Sequence, residues 1–109
     1  MTTTEFLNKY DSGENFEERE IMDAFWGDFD DYKERKFQVI EEEEGDDRRW
    51  TRAIYRYVKI QDRYFLIQYD RGLTEMQEDY WDWQPEEMSL KVVTKTIQVN
   101  EWTAIERND

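Results

Sequence analysis

Apolar positions recur at helical spacing over the first third of the chain and alternate over the rest. Phe6, Leu7 and Tyr10 fall on one side of a short helix within residues 5–10, and Asp11-Ser12-Gly13 breaks it. Asn15 stands three residues before Glu18, the spacing of a capping box, and so marks the expected start of a second helix. Ile21, Met22, Phe25, Trp26 and Phe29 then make one apolar stripe, with Glu17, Glu20, Asp23 and Asp30 away from it. Gly27 weakens the last turns without being required to end them. Asp28, Asp30, Asp31 and Glu34 oppose the helix dipole there, offset in part by Lys33, Arg35 and Lys36. Residues 1–36 are therefore expected to be helical.

From Phe37 the period changes to that of strands. Residues 37–40 read as a short strand and residues 41–47 as a polar turn centred on Gly45. Residues 49–60 alternate as a long strand, Gln61-Asp62 is a tight turn, and residues 64–69 form the next strand, ended by Asp70-Arg71-Gly72. Residues 73–87 read as a long polar and aromatic connection holding Tyr80, Trp81, Trp83 and the single proline, Pro85. Residues 90–99 read as one last long strand, which residues 100–105 either continue or bend across the sheet with Trp102 as an anchor. Ile54, Val58 and Ile60 mark one face of the long strand, and Ala53, Tyr55 and Tyr57 the other. The aliphatic face is expected to meet the helix, leaving the tyrosine face partly exposed. The expected core is Met22, Phe25, Phe29, Ile54, Val58, Leu66 and Ile97. The class is α+β: one domain over residues 1–109, with an N-terminal helix or helix pair packed on one face of an antiparallel sheet of about four strands.

Composition supports a folded chain of this size. Hydrophobic residues are only 38% of the 109, but aromatics are 17%, so much area can be buried per residue. High charge with few aromatics is the signature of disorder, and this chain has the first without the second. No stretch nears the ~20 apolar residues that span a bilayer. Met1-Thr2-Thr3-Thr4-Glu5 lacks the basic and apolar regions of a signal peptide. The absence of cysteine suits a reducing compartment, so a cytoplasmic location is expected.

Charge changes the picture most. Asp and Glu number 28 against 15 Lys and Arg, a net charge of −13. A field of that sign repels nucleic acids and membranes and steers the protein towards basic partners. The charge is also segregated: residues 1–49 hold 17 acids and 7 bases, whereas Arg52, Arg56, Lys59, Arg63 and Arg71 follow Arg48 and Arg49 along the central hairpin. One reading is a solvated surface in which the hairpin arginines pair with nearby acids. The other is that the acidic runs converge on one face and imitate the phosphates of DNA, which carries one charge per ~1.7 Å of axis. The carboxylates for that role are Glu41, Glu42, Glu43, Glu44, Asp46 and Asp47 in one run, and Glu75, Glu78, Asp79 and Asp82 in the other. Trp81 and Trp83 stand within the second run, each either a plug for the core or an apolar anchor for the partner.

Chemistry is narrowed by what the chain lacks. With no histidine or cysteine there is no imidazole or thiolate, and a zinc site is disfavoured. Asp28, Asp30 and Asp31 lack the spacing and glycine of an EF-hand, and residues 41–47 are a charge run without ligand geometry. Glu87 with Lys91, or Glu34 with Lys36, supplies the ingredients of a metal-dependent nuclease only loosely, and such an enzyme would repel its own substrate. The expectation is no enzyme, no cofactor and no metal.

Val39-Ile40-Glu41-Glu42-Glu43-Glu44-Gly45, Arg48-Arg49-Trp50, Val58-Lys59-Ile60, Asp62-Arg63-Tyr64-Phe65, Asp70-Arg71-Gly72-Leu73-Thr74-Glu75, Gln84-Pro85 and Val99-Asn100-Glu101-Trp102 carry a resemblance. Over Phe37 to Trp102 the chain resembles small acidic proteins of phages and mobile elements of Gram-positive bacteria. Several of these are anti-CRISPR inhibitors that occupy the DNA-binding surface of an RNA-guided nuclease. The resemblance implies a non-enzymatic inhibitor in the bacterial cytoplasm that binds a basic nucleic-acid-handling protein. A type II CRISPR nuclease, for which it would compete with DNA, is the partner implied. It carries over no contact residue, no direct binding of nucleic acid or membrane, and no oligomeric state. The alternative is a small phage structural or adaptor protein with a solvated acidic surface.

Overall fold

The computed structural model describes residues 1–47, 50–74, 77–94 and 98–107. Helix α1, Thr3–Asp11, starts at a capping box: the Glu5 N–H donates to Thr2 Oγ1 at 3.1 Å, and the Thr2 N–H donates to Glu5 Oε1 at 3.0 Å. Helix α2, Glu18–Trp26, starts two residues later than the Asn15–Glu18 spacing predicts. Its box is Glu17 with Glu20, the Glu17 N–H donating to Glu20 Oε1 at 2.8 Å. Gly27 ends α2, with φ 76°. A side chain there would also meet the Phe37 ring, since a Cβ would lie 2.5 Å from Phe37 Cδ1. Residues 28–36 are therefore not α-helical, and only one 3-10 turn, Tyr32–Glu34, follows. Phe29 still reaches the core, from a loop rather than a helix, and is 3% exposed.

Five antiparallel strands follow in a meander of order β1-β2-β3-β4-β5: β1 Phe37–Asp47, β2 Thr51–Ile60, β3 Arg63–Gly72, β4 Glu86–Thr94 and β5 Gln98–Ala104. Two expectations are corrected. Residues 41–47 are strand, not turn: β1 carries its carboxylates along the sheet edge, paired from Phe37↔Ile60 to Asp47↔Arg52 with register shifts after Val39 and Glu44. A run of exposed acids reads as a turn in the sequence, yet β2 offers it a ladder on both sides of the irregularities, with arginines opposite Glu42 and Asp47. The strand expected over residues 90–99 is two, β4 and β5, because both arms of this hairpin alternate and the pattern runs through the reversal. Residues 95–97, between them, lie outside the described residues.

The core lies between the helices and one sheet face. Phe6 packs against Phe16, Phe65 and Phe29, ring centres 4.8, 5.1 and 6.0 Å away. Phe25, Ile54, Val58 and Ile60 are buried there as expected, with Met22 half-buried at the margin. Leu66 is not on that face. The β2–β3 register sets Val58 opposite Phe65 and Ile54 opposite Tyr69, so Phe65, Ile67 and Tyr69 point inward and Leu66 lies beside Tyr57 on the other side. Ile97 lies outside the described residues. β4 pairs with β3 at only three positions, Tyr64↔Met88 to Leu66↔Glu86, and the β4–β5 hairpin curls over the second face. There Trp102 stacks on Tyr57 at 4.4 Å and donates from Nε1 to Glu41 Oε2 at 2.7 Å, the anchoring role expected of it. No helix among the described residues is long and apolar enough to cross a membrane.

Candidate partner-binding surface

β1 alternates, so its acids divide between two environments. Glu42 and Glu44 stand beside arginines of the hairpin. Glu42 Oε2 accepts from Arg56 at 2.6 and 3.1 Å, and Arg56 also lies over the Phe25 and Trp26 rings and donates to the Phe25 carbonyl at 3.0 Å. Arg52 forks between Asp47 and Glu44, donating to the latter at 3.1 Å, and Arg71 reaches Glu44 at 3.6 Å. The Arg52 guanidinium holds the Asp47 carboxyl below its ordinary pKa. Glu41, on the other side, is the acceptor for Trp102. Glu43 and Asp46 are exposed and have no ion pair among the described residues.

The two acidic runs meet at one end of the sheet. Asp47 is opposite Arg52, and Arg52 is opposite Arg71, in neighbouring strands. One residue on, the Gly72 N–H donates to Asp79 Oδ1 at 2.9 Å, and the Leu73 N–H donates to the Trp50 carbonyl at 2.9 Å. Tyr80 bridges to Asp70 of β3 through two backbone hydrogen bonds of 2.8 and 2.9 Å. This folds residues 77–80 back onto the end of β3, beside the mouth of the β1–β2 hairpin. Glu78, Asp79 and Asp82 are exposed in this connection. Glu75 lies outside the described residues.

The tryptophans separate. Trp81 is 6% exposed, stacked on Tyr69 at 4.0 Å and set against Phe25 at 5.3 Å, so it plugs the core and is withdrawn as an anchor. Trp83 is 40% exposed, its Nε1 donating to Asp70 Oδ2 at 3.4 Å. Sequence reasoning missed Trp50, Leu73 and Tyr80 as surface groups of this end. All are exposed and large, and the Leu73–Trp50 and Tyr80–Asp70 backbone bonds hold them there. The available signal for Trp50 and Leu73 was their position, each just outside a strand end, where no opposite residue buries the side chain; Tyr80, mid-connection, carried no such signal.

This end of the sheet therefore exposes Trp50, Leu73, Tyr80 and Trp83 on the same segments that carry exposed carboxylates of both runs. Exposed aromatic and apolar side chains next to carboxylates are suited to meet the stem and head of an Arg or Lys from another molecule. No group of three or more Asp and Glu side chains among the described residues is arranged to hold a metal ion. No protein-family model, curated protein or solved structure matches this chain.

Proposed function

We propose that this protein is a non-enzymatic inhibitor that inserts the acidic end of its sheet into the nucleic-acid groove of a basic partner. The observation that carries this reading is that the 41–47 and 77–82 segments come to the same end of the sheet, where Trp50, Leu73, Tyr80 and Trp83 are also exposed. Glu43, Asp46, Glu78 and Asp82 are its leading contact acids, since Glu42, Glu44 and Asp47 already share arginines of the hairpin. The sequence resemblance narrows the partner to a type II CRISPR nuclease in a bacterial cytoplasm, with DNA as the competitor.

The test is displacement of a labelled PAM-bearing duplex from such a nuclease. Glu43→Lys with Asp46→Lys, and separately Trp50→Ala, should each weaken inhibition at least about tenfold. Glu18→Lys with Glu106→Lys changes the net charge equally and should leave it nearly intact. Equal losses in the two charge-reversal variants would mean that only the overall field acts. No displacement by the unaltered protein would sink the proposal. In that case the adaptor reading takes over, which the internal pairing of Glu42 with Arg56 and of Glu44 with Arg52 favours.

A further inference from the structure

The opposite end of the same strands carries the reverse charge. β2 runs from Thr51 near the acidic end to Ile60, a span of roughly 30 Å at ~3.3 Å per residue. Beyond Ile60 an open groove of about 390 Å³ is lined by Arg35, Lys36, Lys59, Gln61 and Asp62. A smaller recess of about 80 Å³ shares Arg35, Lys36, Lys59 and Gln61, adds Phe37 and Gln38, and has no carboxylate in its lining. The recess is thus the narrow end of the groove, small enough for a single oxyanion to fill.

Two observations set this recess apart from an ordinary charged surface. First, acids outnumber bases nearly two to one in this chain, yet Arg35 and Lys59 reach no carboxylate among the described residues. Lys36 reaches only the exposed Glu34, at 3.6 Å. Secondly, the backbone takes an unusual conformation here. Among the described residues only Arg35, at φ 55°, and Gln61, at φ 57°, are non-glycine residues with positive φ, and both line the recess. Glycine or asparagine is the inexpensive choice at such a position, and side chains held there cluster at binding sites. Gln61 is tied to the residue after Arg35 and to the start of α1. The Gln61 N–H donates to the Lys36 carbonyl at 2.7 Å, and Gln61 Nε2 donates to Thr3 Oγ1 at 3.0 Å and Thr4 Oγ1 at 2.9 Å. The rim is thus organised before any ligand arrives.

We propose that the Arg35–Lys36–Lys59 recess binds a phosphate group. Three basic residues lining one small volume, one with a guanidinium fork and two with ammonium groups, match a dianion with several acceptor oxygens. Asp62 at the mouth of the wider groove opposes it and tunes the affinity down. The site does not depend on the acidic end or on its partner. Its phosphate comes either from a small free phosphate or from the end of a nucleic-acid strand.

The test is a ¹H–¹⁵N titration of the full chain with inorganic phosphate at fixed ionic strength, repeated with a 5′-phosphorylated single-stranded oligonucleotide. Saturable shifts confined to amides 35–38 and 59–62 are expected with phosphate. Arg35→Gly, which suits the left-handed backbone and should keep the fold, and Lys59→Gln should each weaken binding at least about tenfold. Asp62→Asn should strengthen it. Shifts at the same amides with the oligonucleotide assign the site to a strand end, and shifts with inorganic phosphate alone assign it to a small phosphate. Absence of saturable shifts with both ligands, or binding unchanged in Arg35→Gly and Lys59→Gln, would overturn the assignment.

Discussion

The Arg63 guanidinium forks between Asp11, at 2.7 and 2.9 Å, and Glu87, at 2.8 and 3.0 Å, and lies over the Phe65 ring. One side chain thereby ties the end of α1 to β3 and β4. Arg63 is held more firmly protonated by these carboxylates, and its hydrogen bonds pull the Asp11 carboxyl below its ordinary pKa. A depressed folded-state pKa adds stability that is present above the unfolded value and lost as pH falls through the folded one. Arg63→Met should cost about 1–3 kcal/mol near neutral pH, because two carboxylates lose a charged donor. The gap between the variant and the unaltered protein should then narrow below about pH 4, where an ordinary Asp is half protonated. Urea unfolding over a pH series measures both. A gap that stays constant down to pH 2 would mean that ring packing, not the ion pair, carries the effect of Arg63.

At the scale of elements, the stops matter as much as the starts. Gly27 combines a left-handed backbone with contact against Phe37 of β1, so it sets both the length of α2 and where β1 enters the sheet. Gly27→Ala should cost at least ~2 kcal/mol by thermal or denaturant unfolding. A loss under half that would place the end of α2 in the following residues instead. This stop also shows where the sequence was readable. The apolar stripe gave the right buried face for Ile21, Phe25 and Phe29, but periodicity alone does not tell a helical Phe29 from a looped one. Alternation likewise gave the inward face of β2, because Ile54, Val58 and Ile60 differ in kind from Tyr55 and Tyr57. It failed at Leu66, where Phe65, Leu66 and Ile67 are all apolar and only the register with β2 decides which points inward. The acidic end was legible as two charge runs. Their meeting was not, since it rests on the Gly72 N–H donating to the Asp79 carboxylate and the Leu73 N–H to the Trp50 carbonyl, which no residue pattern encodes.

Over the whole molecule, a net charge of −13 acts against the folded state, while a few cross-strand pairs act for it. The exposed pairs are worth little each, and the repulsion is summed over many acids. Added sodium chloride should therefore raise the melting temperature between low salt and ~0.15 M, where the screening length falls to ~8 Å. A falling melting temperature would mean that the arginine pairs along β1 and β2 outweigh the repulsion. The open edge of β1 has one more consequence. Its outward N–H and C=O groups are those that another strand would take up, and a second copy docking there would set carboxylate against carboxylate at ~5 Å. The glutamates are thus expected to oppose fibril growth. Replacing Glu42, Glu43 and Glu44 with threonine, a strand-favouring residue without charge, should make the protein scatter more light on concentration than the unaltered chain does. A variant that stays clear would show that the register shifts after Val39 and Glu44 already spoil the edge as a template.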